Sequence, residues 1–182
     1  ALRERSLSIV MRFDGSSGVA DAAKAAALSA VAEPGSRNHV AGQSLLAFAH
    51  AYRRDLVNAG LAFDQAIELA QRLPPSERAF EAEVRRRYAE ALIAARQHAR
   101  ALVQLREALA IVERTSGRET FRWARTAVVT ANLTAAAGDT PRAMEMYEQV
   151  LRIYRKFGAE LDPLFMSAAN ALKEVVKKVD GA

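Results

Sequence analysis

The side chains best suited to bind a metal or move a proton near neutral pH are three histidines, His39, His50 and His98. His39 and His50 are eleven residues apart, about three helical turns, so they can share one helix face. His98 lies far along the chain, and with no His-Glu-x-x-His pattern the pair lacks a third ligand. Cysteine is absent, which removes thiolate sites and disulfides and fits a reducing compartment; a cytoplasmic location is expected. The run Gly15-Ser16-Ser17-Gly18 lacks the lysine of a phosphate loop and the Gly-x-Ser-x-Gly spacing of a nucleophile elbow, and reads as a turn between helices. Glu81 and Glu83 stand two apart on a helix and so point in different directions, which suits solvation better than paired acid and base work. Arg85, Arg86 and Arg87 fan over roughly 200° of a helix and do not line one patch, which argues against nucleic acid. The expectation is a chain that is not an enzyme and that holds no cofactor and no metal.

The elements that carry these residues follow from composition and periodicity. With 182 residues and 51% hydrophobic side chains, the chain can bury a full core. The longest stretch free of Asp, Glu, Lys and Arg, residues 38–52, is shorter than the roughly 20 apolar residues that span a bilayer, so no membrane segment is expected. The first residues, ALRERSLSIVMRF, lack the long apolar core of a signal peptide. They also lack a starting Met, which reads as a piece of a longer protein. The net charge of +5 is spread along the chain and is compatible with an acidic partner.

Aligning the chain with itself reveals a 42-residue step. It links Ala47, Ala89 and Ala131; Ala59, Ala101 and Ala143; and Phe63, Leu105 and Tyr147. It also links Ala66, Ala108 and Val150, then Ile67, Leu109 and Leu151. A fixed period of 20 to 50 residues marks a stacked-repeat architecture whose units each bury an apolar face on a neighbour. Within a unit the apolar positions recur at helical spacing, as at Ala59, Ala62, Phe63, Ala66, Ile67 and Ala70. Where two helices cross closely, only a short side chain lets the backbones approach, which accounts for the alanine columns. Breakers fall in step as well: Pro74-Pro75, Ser116-Gly117 and Gly158-Ala159 after each second helix, and Arg54-Asp55, Arg96-Gln97 and Gly138-Asp139 inside each pair. Ser116 with Glu119 has the spacing of a capping box for the helix that contains Trp123.

The order of a small residue at Ala131, then Gly138, Ala143, Tyr147 and Val150 resembles the tetratricopeptide (TPR) pattern. The 42-residue step resembles the longer variant found in kinesin-light-chain-like and bacterial regulatory proteins. Arginine replaces the turn glycine at Arg54 and Arg96, and Leu45, Arg87 and Val129 stand where the kinesin type has asparagine. The resemblance implies an all-α fold, a right-handed superhelical stack of antiparallel helix pairs. Residues 1–33 are expected to form a degenerate helix pair (3–13 and 19–32, split by DGSSG), followed by repeats at 34–75, 76–117 and 118–159. Residues 160–182 are expected to form a capping helix, with Leu161, Leu164, Phe165, Ala168, Leu172, Val175, Val176 and Val179 along one stripe.

In the resembled fold, first helices line a concave groove. The matching positions here are Ser44, Phe48 and Tyr52; Glu83, Arg86 and Glu90; and Arg125 and Asn132. The family's carboxylate clamp needs Lys and Asn in the first unit, where Ser44 and Phe48 stand, so only Arg125 and Asn132 keep that character. Arginine can grip a carboxylate through two hydrogen bonds, and asparagine can pair with a peptide backbone. The expected binding set is Phe48, Tyr52, Arg86, Glu90, Arg125 and Asn132, with Arg86 adding positive potential. The expected function is a protein-interaction scaffold holding a partner segment, such as an acidic one. The alternative is a regulatory or oligomerisation segment of a larger signalling or transcription protein, with the C-terminal stripe pairing two copies.

Overall fold

A computed structural model describes residues 17–180, which form α-helices and turns, with no strand among the described residues. The expected helix at 3–13 lies outside them. The fold is an all-α helical repeat of TPR-like type. The chain forms two compact units divided after Gln97, a boundary that falls inside the expected 76–117 repeat.

Unit 1 contains α1 (Ser17–Ala32), α2 (Arg37–Tyr52), α3 (Leu56–Gln71), a 3-10 turn (Pro75–Glu77) and α4 (Ala79–Ala94). Of the expected DGSSG turn, Ser17 and Gly18 are helical and open α1, and residues 14–16 lie outside the described residues. Ser36 caps α2 by accepting hydrogen bonds from the Asn38 and His39 N–H groups, and Asp55 caps α3 through Asn58 N–H. α2 approaches α1 so closely at Gly42 that a Cβ there would lie 3.1 Å from the Ala26 Cα. Phe63 of α3 is fully buried and stacks on Tyr88 of α4, with ring centroids 4.7 Å apart.

Unit 2 contains α5 (His98–Ser116), α6 (Phe121–Ala136), α7 (Thr140–Lys156) and α8 (Pro163–Asp180). The expected Ser116–Glu119 capping box is not formed. α5 runs through Ser116 and stops at Gly117, whose φ of 81° suits a residue without a side chain. The cap of α6 therefore moves on to Thr120, whose Oγ1 accepts from Trp123 N–H at 3.3 Å, while Glu119 pairs with Lys156. Asp139 caps α7, and Pro141 sits in its first turn, where no N–H is needed.

First helices start at Arg37, Ala79, Phe121 and Pro163, and second helices at Leu56, His98 and Thr140, each 42 residues after the last. The same step governs the turns. Arg54, Arg96 and Gly138 all take positive φ, at 62°, 59° and 90°. Ala47, Ala89 and Ala131 are completely buried, as are Ala101 and Ala143. Lys173 takes that first column's place in α8 and is exposed.

These alanines fix helix separation, so Ala101→Leu or Ala143→Leu is expected to overpack the crossing and cost about 1 to 3 kcal/mol. A urea midpoint equal to that of the wild type would show that the helices tolerate the larger side chain.

Candidate partner-binding surfaces

In unit 1, α2 is antiparallel to α3 and α3 to α4; Gln71 at the end of α3 reaches Glu81 at the start of α4 at 3.2 Å. α2 and α4 therefore run in the same direction. Their starts are level, since the Arg37 guanidinium sits 5.0 Å from the centre of the Phe80 ring. On α2, Phe48 is at the edge of exposure and Tyr52 is 73% exposed, whereas Ser44 is buried and its Oγ has no hydrogen-bond partner.

The arginine run on α4 is fully engaged. Arg85 pairs with Glu81 at 2.8 Å. Arg86 is buried and donates to both oxygens of Glu83, at 3.1 and 2.7 Å, and to Glu90. Arg87 reaches the same Glu83 at 3.1 Å. Burial alone would raise the Glu83 carboxyl, but the hydrogen bonds and charges of Arg86 and Arg87 outweigh it and hold the group below its ordinary value. Burial would likewise lower the Arg86 guanidinium, and Glu83 and Glu90 outweigh that to hold it above its usual value. Arg86 therefore sits between two carboxylates and does not present the positive potential expected from the sequence. Glu90 joins this network through Oε1 and is half-buried, one 42-residue step on from Phe48.

In unit 2, Arg125 and Asn132 are both exposed on α6, two turns apart and so on one face. The buried Tyr147 hydroxyl of α7 donates to Asn132 Oδ1 at 2.6 Å. The carbonyl end of Asn132 is thus occupied, which leaves the NH2 group of this exposed side chain as its donor end. Burial raises the Tyr147 hydroxyl above its ordinary value, which keeps it a proton donor at every physiological pH. The repeat places Tyr147 in the same column as Phe63 and Leu105, but its hydroxyl, the one polar group of that column, is given no role by the sequence pattern. Arg125 lies near enough to Tyr154 for its charge to oppose the effects of burial and of Asp162 on that hydroxyl.

Behind this face, Thr126, Thr130 and Thr134 are buried and bond back to the carbonyls of Arg122, Thr126 and Thr130 at 3.3, 2.9 and 2.8 Å, which satisfies them inside α6. Trp123 Nε1 donates to Glu113 at 3.2 Å, and Glu113 pairs with Arg118, fixing the α5–α6 corner.

Two of the histidines serve turns, and His98 opens α5. His39 Nδ1 accepts from Gly35 N–H at 3.1 Å, and His50 Nδ1 lies 3.1 Å from Asp55, the α3 cap. Among the described residues no three metal-ligating side chains gather, and no helix is long and apolar enough to cross a membrane. A cleft of about 400 Å³ lies between residues 33–38 and 73–77 of unit 1, but Ser36 and Asn38 there are engaged in the α2 cap and with Glu33.

No family model and no curated protein matches this sequence. Solved structures do match in fold. BtubC (BKLC) from P. vanneervenii superposes with a TM-score of 0.78 at 19% identity, over 91% of this chain and 67% of that one. A Podosopora anserina kinesin light chain structure with nearly identical TPR-like repeats gives 0.73 at 20% identity, over 96% of this chain and 83% of that one. At this identity the likeness is one of fold.

Proposed function

We propose that this chain is a non-catalytic protein-interaction scaffold that holds a segment of a partner protein against the exposed faces of its first helices. The observation that carries this reading is the α6 face, where Arg125 and Asn132 are exposed two turns apart and the Tyr147 hydroxyl holds the Asn132 carbonyl oxygen, leaving its NH2 group as the donor. Arg125 supplies a bidentate donor for a carboxylate, and Asn132 a donor for a peptide carbonyl two turns away. In unit 1, Phe48 and Tyr52 offer apolar contact and Glu90 an acceptor. The repeats proposed are 34–75, 76–117 and 118–159, with α8 closing unit 2. A TPR-like fold without a membrane-spanning helix among the described residues is compatible with work in the cytoplasm.

Affinity capture from a source lysate, followed by titration of the captured segment, tests this reading. Arg125→Ala is expected to weaken binding about tenfold, the size of one charge-assisted hydrogen bond, and more salt should weaken the wild type. An unchanged affinity would move the partner off the α6 face.

The second reading, a regulatory segment that pairs two copies, draws on the Leu161–Val179 apolar positions. The centre of that stripe, Ala168 and Val175, is buried within unit 2, while Leu161 and Val179 remain exposed. Light scattering that returns a dimer mass, lost on Leu161→Lys, would favour it.

A further inference from the structure

We propose that the edge of unit 1 where α2 and α4 end is a second docking site, which binds an acidic protein segment through Arg53, Arg54 and Arg96. It rests on the scaffold reading but uses turns, not helix faces.

Because α2 and α4 are parallel and start level, and each has sixteen residues, their C-terminal turns lie along one edge. Both turns place an arginine in the left-handed region, Arg54 at φ 62° and Arg96 at φ 59°, a conformation that glycine adopts without strain. Unit 2 has Gly138 in that slot. Attraction of a cation to a helix C-terminus does not require this arrangement, because Arg53, the C-cap of α2, already supplies a cation there at φ −79°. The three guanidinium groups are exposed, and none takes part in an ion pair among the described residues, in contrast to Arg85, Arg86 and Arg87 of the same unit. The nearest acid in sequence, Asp55, is engaged with His50 and Asn58. The edge is therefore a cluster of uncompensated, strained cations beside the exposed Tyr52 ring, and its complement is a carboxylate-bearing segment. Nucleic acid is a poorer fit, since its affinity grows with the number of phosphates neutralised and this edge offers three cations.

The test is fluorescence anisotropy with a labelled hexaglutamate peptide at low salt, beside a labelled oligothymidine of similar charge, using the whole chain. Arg54→Gly and Arg96→Gly remove charge while relieving the backbone, so the melting temperature should hold or rise and a loss of binding is not misfolding. Each is expected to weaken hexaglutamate binding about threefold and the double variant about tenfold, as exposed ion pairs allow. Arg78→Ala, at the opposite end of α4, should have no effect. Equal binding by the double variant and the wild type, no binding by the wild type, or tighter binding of the oligothymidine would each overturn the proposal. Loss of a captured partner on Arg125→Ala alongside a failed edge leaves the scaffold reading standing; the reverse leaves the edge standing.

Discussion

Tyr154→Ala is expected to destabilise unit 2 by about 3 to 5 kcal/mol, the range for truncating a large buried aromatic. The side chain is 1% exposed and joins three helices: its ring centroid lies 5.0 Å from that of Phe121 on α6 and 6.3 Å from that of Phe165 on α8. Removing it takes away a shared wall and leaves a cavity that helices held by Ala143 and Ala168 cannot easily close. The only tryptophan, Trp123, is buried in the same unit, so its fluorescence in a urea titration reports the loss directly. Phe157→Ala, which truncates a half-exposed ring on the margin of the same cluster, should cost less than half as much. Similar midpoints for the two variants would show that the cluster is not a joint.

Deleting residues 161–182 is expected to have a still larger effect. α8 packs on α6 and α7, burying Ala168 completely and placing Phe165 against Tyr154. Without it, Tyr154, Phe121 and the facing side of α7 are uncovered together, and an apolar patch of that kind drives association. The expected result is a broad, weakly cooperative fluorescence transition and a mass above that of a monomer in light scattering. A monodisperse truncation with the wild-type midpoint would show that α8 is dispensable and that its apolar stripe serves another purpose.

Much of this architecture was legible in the sequence because steric demands repeat. An alanine at a helix crossing and a left-handed residue in a tight turn are local requirements, so the 42-residue step displayed them before any tertiary information. Ser116 misled because it has the right chemistry for a cap, while the position of the cap depends on where the preceding helix ends, and Gly117 set that end one residue later than the motif needs. The binding set was less legible. Arg86 has Glu83 three residues before it and Glu90 four after, a spacing that already favours pairing. Its burial, which makes the network permanent, depends on packing and is not written in that spacing. The Asn132–Tyr147 bond bridges fifteen residues across the turn between α6 and α7, and only the fold brings those two groups together.

Within each unit, helices pack on those one or two places away in sequence: α2 on α1, α3 and α4, and α6 on α5, α7 and α8. Contacts this local need only short loops to be closed before they form, which favours rapid folding. A helix pair can therefore be completed while the rest of the chain is still being synthesised, with no distant strand to await. The alanine-lined surface it presents is covered as soon as the next helix leaves the ribosome, which shortens the time during which a nascent chain exposes apolar surface to its neighbours.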